Sequence, residues 1–446
     1  MPQKIFITSS GDKIDSRGVK QRENVGKMIK ICDSIMGSGK TQSAITYINE
    51  HPNERFIYIT PYLAEADRIQ QSCPAAHFRK PSNKVPESGF SKVEHTAVLI
   101  AEGANIATTH QCFKLYTREM LNGIKEKGYT LLLDESLSIF EKFEYKERDL
   151  QLLIEAGVME RRGNVYVLTE AGYSYDGDLL KDVVRLAKCR ELIDIEGETA
   201  DENGQSCLHY WSLPLSFITS FKDVIVMTYL FHGQTMQQYL RMNRVPYTYI
   251  GVCKEEDGTY RFSDKATKLP AHVKQIKEHL HILDNDKMNN NFGRNVWTTG
   301  SMNWFETHPE EVEQLRKNIA NFFRNYCHDI DSSKFMWATF AKDKKKLKGK
   351  GYTKGFVSHN ARASNDYRDR TRLAYACNPF MNCGEKIYFR NNGIRVDEDA
   401  FALSMLIQWV WRSAIRDGRD VELYLPMSRM RRVLTRWLDS LDKEVE

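Results

Sequence analysis

Two α/β domains in tandem are what this sequence predicts, and three observations predict them. KICDSIMGSGKT (30–41) runs from an apolar strand through a glycine turn into a helix-forming stretch. About 90 residues later, YTLLLDES (129–136) closes an apolar strand on two adjacent carboxylates. Short β-branched and aromatic runs recur through both halves, alternating with amphipathic stretches. These runs are nearly continuous in apolar character, which suits sheets covered on both faces. At 446 residues the chain is too long for one ordinary core.

The elements follow in order. KICDSI (30–35) reads as a strand feeding the glycine turn, and TQSAITYINEH (41–51) as the helix behind it. RFIYITP (55–61) is a strand stopped by Pro61, followed by a helix from Leu63 to about Gln71. NIATTH (105–110), YTLLLDES (129–136) and FKDVIVMTYL (221–230) are further strands. Between about 145 and 215 the pattern changes. LLIEAGVMERRGNVYVLTEAGY (152–173) predicts a helix, a tight turn and a short hairpin, an order like the end of a winged-helix unit. A surface insertion without a binding role is the preferred reading of that segment. The first domain is therefore placed at 1–250 with this insertion, and the second at 255–446. In the second, KFMWATF (334–340), GFVSH (355–359), LAYACN (373–378) and VELYLP (421–426) are candidate strands. DEDAFALSMLIQWVWRSAIRDG (397–418) predicts one helix, acidic at its start and basic at its end as the helix dipole favours.

Composition narrows the class. Apolar residues make up 41% and charged residues 28%, which is ordinary for a globular protein. No run of about 18 apolar residues could span a bilayer, and the N-terminus lacks a secretory core, so a cytoplasmic location without membrane contact is expected. The formal net charge of +5 permits nucleic-acid binding without demanding it. Nine scattered cysteines, none in a CxxC pair, predict reduced thiols and no structural zinc.

The glycine turn SIMGSGKT (34–41) has the residues a phosphate loop needs. Gly37 and Gly39 let the backbone curl, so that the N–H groups around Ser38 converge on anionic oxygens. Lys40 can reach the β and γ phosphates, and Thr41 can give its hydroxyl to Mg²⁺. Ser34 stands where the usual pattern has glycine, but it marks only the entry and removes no contacting group. Asp134 at a strand end can hold Mg²⁺, and Glu135 beside it can polarise an attacking water. ATP and Mg²⁺ are therefore the expected cofactors.

These motifs resemble those of superfamily 2 (DExD/H-type) helicases, in a form common among phage-encoded replication helicases. The resemblance implies two tandem RecA-like P-loop NTPase domains, with an insertion in or after the first and ATP in the cleft between them. ITPYLAEADRI (59–69) and ATTHQCF (107–113) resemble the backbone-contacting stretches, which implies roles for Thr60, Thr108, Thr109 and His110 at nucleic acid. VIVMTYLF (224–231) sits where the family has its coupling motif, with Tyr229 in place of alanine. QWVWRSAIR (408–416) resembles the sixth motif, which implies catalytic roles for Gln408, Arg412 and Arg416. On one continuous helix Arg412 and Arg416 would share a face. NARASNDYRDR (360–370) mixes Arg362 with Asn and Tyr, as a single-strand groove does, with a solvated loop as the alternative. The lysine-rich loop 342–354 reads as a charged turn.

The expected activity is ATP-driven helicase or translocase action, with single-stranded or forked DNA and replication proteins as partners. Two other readings are a terminase-like packaging ATPase and an ATP-switched DNA-binding scaffold. Asp397, Glu398 and Asp399 open a helix, which suits capping better than the nuclease a terminase needs. Glu135 argues against a pure switch.

Overall fold

The computed structural model describes residues 6–7, 13–14, 28–83, 91–143, 145–178, 180–196, 207–265, 276–290, 297–328, 330–361 and 366–441. The first sheet has seven strands: β1 (Ile29–Asp33), β2 (Phe56–Thr60), β3 (Ile106–Thr109), β4 (Thr130–Asp134), β10 (Asp223–Thr228), β11 (Tyr247–Lys254) and β12 (Tyr260–Ser263). Their order is β12-β11-β1-β10-β4-β2-β3, all parallel except for the antiparallel edge strand β12. β10 thus lies between the glycine-loop strand β1 and the acid strand β4. Apolar side chains alternate between two cores. Cys32, Tyr58, Leu132 and Ile225 pack on one face, and Ile31, Ile57, Leu131, Leu133 and Val226 on the other. The sheet is therefore covered on both sides, which is why its strands read as continuous apolar runs. It runs on to Ser263, past the 250–255 break expected from the sequence.

The insertion between β4 and β10 is a separate five-stranded antiparallel sheet. Its strands are β5 (Phe140–Lys142), β6 (Met159–Arg162), β7 (Val165–Leu168), β8 (Glu191–Glu196) and β9 (Cys207–Ser212), in the order β5-β9-β8-β7-β6. The expected helix and hairpin are there, as Glu147–Glu155 followed by β6 and β7.

The second domain holds four parallel strands, β13 (Leu280–Ile282), β14 (Phe335–Ala338), β15 (Arg372–Tyr375) and β16 (Val421–Tyr424), in the order β13-β16-β15-β14. The candidate strand 355–359 contributes only a single bridge, Phe356 to Trp337, because a 3-10 turn over Thr353–Gly355 uses up its start. This is the expected fold class: tandem α/β domains with an insertion after the acid strand.

Three helices position the junction between these parts. α3 (Cys383–Asn391) receives the insertion: Tyr210 Oη donates to Asn382 Oδ1 at 2.6 Å, and the Phe140 ring meets those of Tyr388 and Phe389. The insertion therefore bridges to the second domain and is not a free surface appendage. α4 (Glu398–Val410) is N-capped by Asp397, whose Oδ1 accepts from the Ala400 N–H at 2.9 Å, as the acidic opening predicts. α5 (Ser428–Ser440) packs on α4. Among the described residues no helix is long and apolar enough to cross a membrane, and eight cysteines are free thiols.

Candidate active site

The glycine loop leaves β1 and enters α1 (Lys40–Glu50) through two left-handed residues, Gly37 (φ 81°) and Gly39 (φ 98°). Gly39 is required for a second reason: a Cβ there would lie 2.2 Å from the ring of Tyr260 on β12. Lys40 is folded onto its own loop, donating to the carbonyls of Ser34 and of Ile35, the latter at 3.0 Å. Burial lowers its pKa, and Glu135, Cys32, Asp134 and Asp33 oppose that shift. Both acids of the pair thus lie within electrostatic reach of the loop lysine, as a phosphate site needs. Thr41 is the second residue of α1 and half-buried.

Asp134 ends β4. Its carboxyl is pushed up to about 7, first by desolvation and then by Glu135, with Lys40 opposing. Glu135 is a non-glycine residue in the left-handed region (φ 65°), held there by its N–H on Met227 O at 2.9 Å. Such strain costs on the order of 1–3 kcal/mol and persists where surroundings over-determine the backbone. Here it turns the second carboxylate out of the strand, toward Lys40.

The structure gathers several sequence-selected residues around this acid. Thr60, at the end of β2, is fully buried, and its hydroxyl lies 3.5 Å from Asp134 Oδ2. The ring Nε2 of buried His110 lies 2.8 Å from Asp134 O. Thr108 is buried in β3, and Thr109 caps the following helix, its hydroxyl accepting from Cys112 N at 3.4 Å. Thr60 and His110 therefore brace the acid strand from inside and Thr108 is buried in the edge strand β3, rather than lying open to a nucleic-acid strand. Arg362 lies outside the described residues.

The late arginines depart from expectation. The helix predicted over 397–418 stops at Val410, because Ser413 is extended (ψ −171°) and restarts the chain as a 3-10 turn. Its hydroxyl donates to Val410 O at 2.7 Å and accepts from Ile415 N at 3.4 Å. Arg412 and Arg416 thus do not share a helix face. Arg412 is buried in the turn, at 6% exposure. Arg416 faces the first domain. Burial and neighbouring Arg368 lower its pKa, while Asp417 and Glu65 of α2 (Leu63–Ser72) oppose. Glu65 also acts on Asp134, so Arg416, Glu65 and the acid site form one electrostatic neighbourhood across the cleft. Gln408 is half-buried on α4.

Hydrogen bonds that no local pattern encodes tie the glycine loop to the end of β10 and on to α5. Ser34 N donates to Thr228 O at 3.0 Å, and Phe231 N to Asp33 Oδ2 at 3.1 Å. One residue beyond Thr228, Tyr229 Oη accepts from Trp437 Nε1 of α5 at 2.8 Å. Ile35 and Met36 of the glycine loop pack into the second domain's core. Two signals of this connection are visible in sequence: Asp33, a carboxylate inside an apolar strand whose pKa burial raises, and Tyr229 in the coupling stretch.

Comparison with known proteins places the chain. Over 420 residues it is 35% identical to the SPbeta prophage-derived uncharacterized protein YonV of Bacillus subtilis (strain 168), across 92% of this chain and 99% of that one. The chain belongs to the YonV family. Residues 273–438 match the YonV C-terminal Rossmann-like domain, a span that includes all four strands of the second sheet. Solved structures described as "XPD_Helicase", "XPD_APO" and "Structure of S. tokodaii Xpd4" are similar with TM-scores of 0.46, 0.45 and 0.44, at 9%, 10% and 10% identity. They cover 93%, 94% and 92% of this chain, and 95%, 96% and 94% of their own.

The donor set of this YonV-family site suits a hard divalent cation. Among the described residues no group of three or more His, Cys, Asp or Glu side chains could hold a metal alone. A nucleotide-bound Mg²⁺ needs less: one carboxylate and one hydroxyl, with phosphates and water completing the shell. Asp134 and Thr41 offer that pair. The raised carboxyl gives a test without any ligand. A folded-state pKa near 7, against an ordinary 3.8, means the native state holds a proton that the unfolded chain has already lost. Stability then falls as pH rises from about 4 to 7 and stays lower above. Asp134→Asn is expected to be about 1–2 kcal/mol more stable than the wild type at pH 8 and no more stable at pH 4, after allowing for solvent screening of a partly exposed group. Equal melting shifts at both pH values would contradict the assignment of a raised, partly desolvated carboxyl to Asp134.

Proposed function

We propose that this YonV-family protein is an ATP-dependent, helicase-type translocase that acts on DNA in prophage replication or repair. The observation that supports it most is the continuous route from the glycine loop, through β10, to Tyr229 and Trp437 in the second domain. A site that only stored nucleotide would have little use for such a route, whereas a motor must convert occupancy at the loop into movement of the second domain.

The residue roles follow from position. Backbone N–H groups from Gly37 to Thr41 cradle the phosphates at the start of α1. Lys40 exchanges its loop carbonyls for phosphate oxygens. Asp134 and Thr41 would hold Mg²⁺, which when bound neutralises phosphate charge. Glu135 orients the attacking water and receives its proton, aided by a backbone that already projects its carboxylate from the strand. Arg416 meets charge developing on the transferring group from the far side of the cleft.

The test is ATP turnover with and without single-stranded DNA, duplex, fork and RNA, at two salt concentrations. Hydrolysis stimulated by single strands or forks, and weakened by salt, is expected. Glu135→Gln should bind ATP yet lose about 10²–10³-fold in turnover. Turnover indifferent to every nucleic acid would remove the motor and leave an ATPase.

A further inference from the structure

We propose that Tyr260 is a positioning residue for the phosphate loop: its ring braces Gly39 in the left-handed conformation and so sets the affinity for ATP, a role that rests on reading the glycine loop as an ATP site. The topology brings the two together. β11 runs parallel to β1, with Ile250 opposite Cys32, so both strands end at the same edge of the sheet. β12 pairs antiparallel with β11, and Tyr260 sits opposite Lys254 at that edge. Tyr260 therefore meets the glycine loop from the side of β1 that faces away from the acid strand β4.

The contact is close. Gly39 (φ 98°, ψ 11°) is the residue that caps α1. A Cβ on it would overlap Cγ, Cδ1 and Cε1 of Tyr260, so the ring lies directly against its Cα. Glycine has more backbone freedom to lose than any other residue. Helix starts are commonly fixed by a capping side chain, and Gly39 has none to offer. Lys40 holds only the entry of the loop, through the carbonyls of Ser34 and Ile35. The ring supplies the missing restraint from the other side, at the turn where the phosphate-binding N–H groups converge.

The brace is itself anchored. The Lys254 ammonium lies over the Tyr260 ring, 5.5 Å from its centroid. Arg261 Nε and Nη2 both donate to Glu50 Oε1 at the end of α1, at 2.9 and 2.7 Å. The Phe262 ring meets that of Tyr47 edge-on, with centroids 6.1 Å apart. Three consecutive residues of β12 thus hold α1 at its start, its end and its middle. A cleft of about 230 Å³ between strand and helix, with Lys30, Ser43 and Ile250 in its wall, keeps these holds separate. A brace of this kind lowers the cost of ordering the loop around phosphate, which appears in binding. It touches neither Asp134 nor Glu135, so the chemical step at saturating ATP is largely spared.

The experiment is calorimetric titration with Mg²⁺ and the non-hydrolysable analogue adenylyl imidodiphosphate, on wild type, Tyr260→Ala, Tyr260→Leu, Tyr260→Phe and Arg261→Gln. Wild type should bind. Tyr260→Ala and Tyr260→Leu should bind about tenfold more weakly and raise KM for ATP with little change in kcat. Tyr260→Phe, which keeps the ring, should match wild type. Arg261→Gln loses only an exposed ion pair at the far end of α1 and should bind normally. Without nucleotide, hydrogen exchange at Ser43 N–H, bonded to Gly39 O at 2.8 Å, should quicken in the alanine and leucine variants alone. Melting curves check folding, and the leucine variant carries the test if the alanine variant is not folded. Wild-type binding with unchanged affinity in folded Tyr260→Leu would overturn the role of Tyr260 alone. So would equal weakening by Arg261→Gln, which would mark general loosening of the hairpin, or weakening by Tyr260→Phe, which would put the effect in the hydroxyl. No wild-type binding would overturn the ATP reading of the loop with it.

Discussion

Lys40→Ala is expected to lower ATP turnover by on the order of 10³-fold or more while leaving a folded protein. Lys40 sits between the glycine loop and both acids, on the carbonyls of Ser34 and Ile35. Those carbonyls cannot stabilise phosphate; the backbone N–H groups can bind it, but they carry only partial charge. In the proposed site, removing the ammonium therefore removes the full positive charge that the loop itself would place at the γ-phosphate. Alanine near a helix start costs little in propensity. The same change leaves Asp134 and Glu135 without their opposing cation, so the Asp134 carboxyl should move further above its value near 7. Turnover within tenfold of wild type, in protein that melts normally, would rule out this loop as the catalytic phosphate site. Lost turnover with a collapsed melting curve would instead make Lys40 structural; Lys40→Met, which keeps the side-chain length, separates the two.

The parts of this site that were legible in sequence are those set by local pattern. Three leucines before Asp134 must be a buried strand, and a carboxylate at its end must emerge at the edge of the sheet. Asp397 before an apolar run is a cap because its side chain reaches only its own helix. Residues whose surroundings come from elsewhere in the chain were not legible. Thr60 and His110 read as polar groups after strands, and only the neighbouring acid strand turns them inward. The end of α4 depends on Ser413, a residue that helices tolerate, together with the Ala414 N–H bonded to Arg370 O at 2.9 Å. Tyr210 finds Asn382 across 172 positions, and Trp437 finds Tyr229 across 208. No periodicity encodes such pairs. The fold class was therefore readable, while the contacts that join the insertion to the second domain, and the second domain to the turn beside the glycine loop, were not.

Arg416→Ala should slow hydrolysis by on the order of 10³-fold with little change in melting temperature, and Arg412→Ala should do the reverse. The two arginines have different surroundings. Arg412 is 6% exposed in the turn that ends α4, so truncation leaves a hole in a packed junction. Arg416 is half-buried and faces α2, where Glu65 links it electrostatically to Asp134. A cation in that position can act on charge that builds up during transfer, provided the two domains close on the nucleotide. Burial and Arg368 already lower its pKa, so it gains when an anion arrives. Arg416→Lys keeps the charge but not the planar fork, and should recover only part of the rate. ATP binding should survive in Arg416→Ala, because the loop and Lys40 remain. A normal rate for Arg416→Ala together with a slow, well-folded Arg412→Ala would transfer the transition-state role to the buried arginine and require the turn at Ser413 to open during the cycle.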